Sequence, residues 1–172
     1  HMSYETKNIR NICFMGHGNS GKTSLAESML FTTGAIDRMG KVTDGNTVCD
    51  YDAEEIKRQI TIATSVAPVN FGGCKINVLD CPGYFDFVGD VLAAIRVVET
   101  GIIFCKIDEE HGDFYAVLSA LKEKYGAAIC PVMIPLSDGT GVIDLVHSTA
   151  YQTKGGKTAK VAIPAADADK VE

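Results

Sequence analysis

An apolar run, Ile9 to Met15, stops at Gly16 and opens into Gly16-His17-Gly18-Asn19-Ser20-Gly21-Lys22-Thr23, the pattern G-x-x-x-x-G-K-T. Helical spacing begins directly behind it, with Leu25, Ala26, Met29 and Leu30 on one face. Strand, glycine loop and helix in that order are the context of a phosphate-binding loop. Gly18 and Gly21 carry no Cβ and tolerate positive φ, so successive backbone N–H groups can turn inward around an anion. The helix start adds its unpaired amides and positive dipole end. Lys22 is then placed to reach the β- and γ-phosphates, and the Thr23 hydroxyl to sit on Mg²⁺. A glycine-rich turn before an ordinary helix is the competing account; correct flanks on both sides favour the phosphate loop.

With 46% hydrophobic and 22% charged residues among 172, the chain can bury a real core. A net charge of −6 argues against broad electrostatic binding to nucleic acid, so no direct DNA binding is expected. The six cysteines include no C-x-x-C and no zinc spacing, and four sit in apolar surroundings, as free thiols in a reducing compartment would. No apolar run reaches transmembrane length and no signal peptide precedes the first strand, so the expectation is a cytoplasmic protein with no membrane partner. His1-Met2 reads as the remnant of a cleaved tag.

Gly34 stops the first helix, and residues 34–58 then carry little periodicity, as functional or mobile segments do. Within them, Asp52 to Arg58 could form a short helix, and Glu54, Glu55, Lys57 and Arg58 read as a solvated face. Two β-rich runs, Thr61–Val69 and Lys75–Leu79, flank Gly72-Gly73 and predict a hairpin. The spacing predicts a helix with one buried face from Phe85 to Val98, a buried strand at Gly101–Cys105 and a helix from Phe114 to Tyr125. Ala127–Leu136, interrupted by prolines, reads as one short strand; Ile143–Val146 and Val161–Ile163 read as small strands. A subdomain boundary is expected near Pro131 to Pro135.

Asp80-Cys81-Pro82-Gly83 follows an apolar strand. In a phosphate-loop protein, such an Asp can hold Mg²⁺ through water, and the Gly brings a backbone N–H to the γ-phosphate. Alone, the tetrapeptide is equally a good β-turn. Thr61 is a candidate second hydroxyl ligand for Mg²⁺, drawn in with the γ-phosphate; it could as well simply open a strand.

Taken together, Gly16–Thr23, Arg58-Gln59-Ile60-Thr61-Ile62 and Asp80-Cys81-Pro82-Gly83-Tyr84-Phe85-Asp86-Phe87 resemble the first three nucleotide motifs of a translational GTPase. The nearest resemblance is to bacterial elongation factor G and its paralogues, including the tetracycline ribosomal-protection relatives. Pro131–Leu136, Gly141–Leu145 and Ile163-Pro164-Ala165 resemble the extra subdomain of that family. The resemblance implies an α/β fold: a mostly parallel P-loop sheet flanked by helices, with a small α+β inserted subdomain. It divides the chain into an incomplete G domain over 3–131 and a partial inserted subdomain over 132–172. It implies GTP/GDP and Mg²⁺ as ligands, and the ribosome as a partner of the full-length protein. Gly16, His17, Gly18, Asn19, Ser20, Gly21, Lys22, Thr23 and Ser24 would surround the phosphates. Thr23 and Thr61 would ligate Mg²⁺, Asp80 would bind it through water, and Gly83 would sense the γ-phosphate.

Three departures qualify that picture. Tyr84 stands where the family usually has the His that positions the attacking water, and a phenol is no useful base at neutral pH, which predicts slow turnover. Lys106-Ile107-Asp108 fits the last three positions of the guanine-reading N-K-x-D, with Asp108 accepting from the base, but Cys105 stands in place of Asn. A parallel strand ending at Cys105 also needs a crossover of a dozen or more residues before the next motif, so residues are expected to be missing between 105 and 106. The chain stops before the family's S-A-x motif, which reads as a fragment. Asn19 replaces an acidic residue of elongation factor G. Two rival functions stay open: a nucleotide-dependent ribosome-binding switch or protection factor that hydrolyses little, and an ATPase or kinase sharing only the glycine loop.

Overall fold

A computed structural model describes residues 4–107 and 112–171. They form two compact units that divide between Cys105 and Lys106. The first holds a four-stranded sheet in the order β2-β3-β1-β4, made of β1 (Ile9–Gly16), β2 (Ser65–Phe71), β3 (Cys74–Asp80) and β4 (Thr100–Phe104). β1 runs parallel to both neighbours, pairing Phe14 with Asp80 on one side and Gly16 with Phe104 on the other. β2 is antiparallel to β3, joined by Gly72-Gly73 with φ of 57° and 78°, the paired positive values that a tight hairpin turn needs.

Alternation along β1 sends side chains to both faces, and each face has its own core. Phe14 packs with Ala26 and Leu30 of α1 (Lys22–Thr32) and with Ala67, Val69 and Val78; its ring meets Phe104 edge-on at 5.2 Å. Cys13 packs on the other side with Leu79, Cys81 and Ala94 of α3 (Val88–Ile95), the short helix α2 (Ala53–Arg58) lying between α1 and α3 in the chain. Both layers fix the C-terminal ends of β1 and β3 side by side, and the glycine loop and Asp80 project from those ends.

Several expectations need correction. Thr61–Thr64 does not join the hairpin strand: the Ile62 and Ala63 amides go to the Glu55 carboxylate instead of to a ladder. The predicted helix from Phe85 starts as a 3₁₀ turn and is α-helical only over Val88–Ile95; Leu92 and Ile95 of its apolar stripe are exposed, while Ala94 is buried. β4 is an edge strand rather than a buried one, with Ile102 and Ile103 exposed.

The second unit carries an antiparallel sheet in the order β5-β6-β7-β8, from β5 (Met133–Pro135), β6 (Gly141–Asp144), β7 (Thr149–Lys154) and β8 (Lys157–Val161). Ile134, Leu136, Ile143 and Ala150 form its core, with Phe114 of α4 (Phe114–Tyr125) against them. Asp113 caps α4 through the Ala116 amide at 2.9 Å, and Gly126 ends it at φ 60°. β7 is absent from the sequence expectation and β8 lies earlier than the predicted Val161–Ile163 strand. The two pair across Gly155-Gly156, again at positive φ. No helix among the described residues is long and apolar enough to cross a membrane.

Candidate nucleotide and cation site

The loop after β1 is built on glycine where a side chain has no room. A Cβ at Gly16 would lie 2.5 Å from the Phe104 carbonyl oxygen, and one at Gly83 would lie 2.5 Å from the Gly18 nitrogen. At Gly18 the clash would be with the Tyr84 ring, also at 2.5 Å. Gly21 caps α1 at φ 92° and Asn19 sits at φ 58°, so the chain curls left-handed just before the helix. The resulting cleft, about 220 Å³, is lined by residues 18–24, Val42, Asp50, Gln59, Ile60, Thr61, Gly83 and Tyr84. Gly16 and His17 line the adjoining apolar groove with Gly83 and Tyr84, where the His17 and Tyr84 rings lie 5.9 Å apart.

Lys22 does not extend into solvent. Its Nζ donates to the Gly16 carbonyl at 3.1 Å and the His17 carbonyl at 2.8 Å, bridging the loop from within. Burial holds its pKa below the ordinary lysine value, and Asp80 partly opposes that.

At the floor of the cleft, four oxygen-bearing side chains from four segments meet. The Thr23 hydroxyl donates to Asp80 Oδ2 at 2.6 Å and lies 3.1 Å from the Thr61 hydroxyl, which itself donates to Asp50 Oδ1 at 2.8 Å. Asp80 is fully buried, and burial pushes its carboxyl up to about 6, against the Thr23 hydrogen bond. Asp50 is also raised, chiefly by burial. Each carboxylate keeps one buried oxygen without a partner, Asp50 Oδ2 and Asp80 Oδ1, and the Ser20 hydroxyl is likewise unpaired. Unpaired buried oxygens of this kind invite an ion or water. Among the described residues no three His, Cys, Asp or Glu side chains form a ready metal cluster. A cation here would rely on hydroxyls and single carboxylate oxygens, the hard donors that magnesium accepts while keeping waters.

Thr23, Thr61, Asp80, Lys22 and Gly83 are therefore brought together from the sequence-derived set. Lys106 falls in the second compact unit, and Asp108 lies outside the described residues. Asp50 escaped the sequence reading because it sits in the aperiodic stretch with no motif around it. Glu55 is corrected from a solvated face to a buried group: it closes a capping box with Asp52 and accepts from Ile62 at 2.9 Å and Ala63 at 3.1 Å. The D-x-x-E spacing was a readable signal for that box.

The family of the elongation factor Tu GTP binding domain matches residues 7–133. This chain belongs to that family. An elongation factor G-like protein of Mycobacterium tuberculosis is 28% identical over 193 residues, covering 95% of this chain and 27% of that protein. Elongation factor G of Gluconobacter oxydans is 32% identical over 182 residues, covering 87% and 26%. A crystal structure of a Thermus thermophilus protein superposes with a TM-score of 0.73 at 32% identity, over 95% of this chain and 29% of that one. The chain is thus a GTP-binding domain of the elongation factor G-like type, spanning about a quarter of the length of the curated relatives it matches.

Proposed function

We propose that the parent protein is a cytoplasmic translation factor that binds GTP with Mg²⁺ and hydrolyses it in a ribosome-linked step. The observation that carries this reading is the convergence of Thr23, Thr61, Asp50 and Asp80, with two carboxylate oxygens left unpartnered beside the glycine loop. Lys22 and the amides of residues 16–24 would hold the phosphates; Thr23 and Thr61 would ligate the cation, and Asp80 and Asp50 would support it through water. A cation held there would supply positive charge to offset the charge that develops on the phosphate oxygens during transfer. Lys22 adds a positive charge on the same oxygens, and Gly83 presents its N–H to the γ-phosphate. Ser20 and Ser24 line the loop side of the cleft. Tyr84, half-buried against Gly18, can offer one hydrogen bond to a water but cannot take its proton at neutral pH. Lys106 and Asp108 read the guanine in the complete domain.

The division into a G domain over 3–131 and an inserted subdomain over 132–172 belongs to this reading, as does a stretch missing between Cys105 and Lys106. The compact units part at that junction, the match to the mycobacterial relative is longer than this chain, and β4 and α3 leave Ile102, Ile103, Leu92 and Ile95 exposed. A crossover helix and strand would cover them.

Titration of the full-length protein with GTP, GDP and ATP in magnesium tests the ligand. Guanine nucleotides are expected to displace labelled GDP, and equal displacement by ATP would sink the guanine reading. Tyr84 also favours a second reading, a binding switch with little hydrolysis. Tyr84→His in the full-length protein is expected to raise ribosome-stimulated GTP turnover on the order of 10²-fold, the low end for a positioned imidazole. An unchanged rate would mean the phenol is not what limits turnover.

A further inference from the structure

We infer that Glu27 is a positioning residue: its buried carboxylate ties α1 to both ends of the 40–48 loop and so holds Asp50 and Thr61 against Thr23. This rests on the cation site proposed above. Glu27 lies on the core face of α1 with Ala26 and Leu30 and has no solvent exposure. A carboxylate so placed is costly unless its oxygens are satisfied, and an apolar side chain would fill that helix face more cheaply. Both oxygens accept backbone N–H bonds from the same loop: Oε2 from Gly40 at 3.0 Å, and Oε1 from Val48.

The loop is shaped for that closure. A Cβ on Gly40 would lie 2.5 Å from the Asn46 carbonyl oxygen and 2.8 Å from Thr47 Cα, so only glycine lets the two ends meet. Lys41 N donates to Asn46 Oδ1 at 2.8 Å inside the loop. Thr47 Oγ1 then accepts from the Asp50 amide at 3.3 Å, and Asp50 accepts from Thr61. Glu55 holds the residues just after Thr61 from the other side. Thr61 faces Thr23, which lies one helical turn before Glu27. The contacts therefore close a ring from α1 through the loop to the cation oxygens and back to α1. Opening it at Glu27 frees Asp50 and Thr61 while leaving the glycine loop and Lys22 untouched.

Glu27→Gln keeps the size and removes one acceptor, so an amide NH₂ must face a backbone N–H. In the nucleotide-free chain, hydrogen exchange at Gly40, Val48 and Asp50 is expected to quicken about tenfold or more, the scale of one lost charge-assisted hydrogen bond. In the full-length protein, the magnesium needed for half-maximal GTP binding is expected to rise about tenfold by the same loss, with affinity in EDTA unchanged. Gly40→Ala, which opens the loop while Glu27 keeps its charge, is expected to give the same two shifts and to add little in the double variant. It serves where Glu27→Gln folds poorly. Unchanged exchange at 40–50 overturns the inference, as does an unchanged magnesium requirement, or an equal loss of affinity with and without magnesium. If the unaltered full-length protein binds no guanine nucleotide, the function proposed above fails, and the exchange measurement alone decides the role of Glu27.

Discussion

Lys22→Ala is expected to weaken GTP binding by at least about 100-fold, roughly 3 kcal/mol, without unfolding the nucleotide-free chain. The ammonium is held by the Gly16 and His17 carbonyls, inside the loop proposed to hold the phosphates. It is a preorganised charge, already desolvated, so its attraction to a phosphate is not diluted by water. Removing it in the free chain has two opposed effects. A buried charge, whose pKa burial had lowered, is lost, and two carbonyls lose their donor. These offset, so the melting temperature should move by only a few degrees on the scale of about 1 kcal/mol. Lys22→Arg is expected to recover little, because a planar fork cannot sit between two carbonyls sized for a compact ammonium. A nucleotide titration beside a thermal melt checks both halves; retained affinity in the alanine variant would remove Lys22 from the site.

The glycine loop and Asp80 were legible in the sequence because each belongs to a local pattern, a strand ending in glycines before a helix or an acid at a strand end. Likewise α4 was legible, since its apolar spacing and its glycine stop are both local. Thr61 was marked through the resemblance of Arg58–Ile62 and not by a local pattern of its own. What the letters concealed depended on partners far along the chain. Glu27 looks like a polar interruption of an amphipathic helix until Gly40 and Val48 are seen to close on it. Asp50 gains meaning only through Thr61, and Thr61 leaves the predicted strand only because Glu55 claims the amides behind it. The exposure of Ile102 and Ile103 was hidden for a different reason. An apolar run predicts burial, and an edge strand without an outer neighbour denies it.

Asp80→Asn is expected to have opposite effects on the free and the loaded protein. Burial raises the folded carboxyl to about 6 from the ordinary 3.8. The folded chain therefore binds more protons than the unfolded one between those values, and its stability falls as pH climbs through that window. The penalty is absent below about pH 4 and fully present at pH 7, where a shift of about two units corresponds to up to about 3 kcal/mol. Asparagine cannot ionise and can still accept the Thr23 hydroxyl. The nucleotide-free variant should thus melt higher than the parent at pH 7 and equal to it near pH 4. Magnesium reverses the sign, because a carboxylate that supports the cation through water does so in its ionised form. In the parent chain, magnesium-dependent GTP binding should weaken about tenfold per pH unit below about 6. In the asparagine variant that pH dependence should vanish along with most of the magnesium effect. Denaturant midpoints across pH, with and without magnesium and GTP, measure both. A variant that is less stable at pH 7 yet still responds to magnesium would mean that Asp80 braces Thr23 and holds no cation.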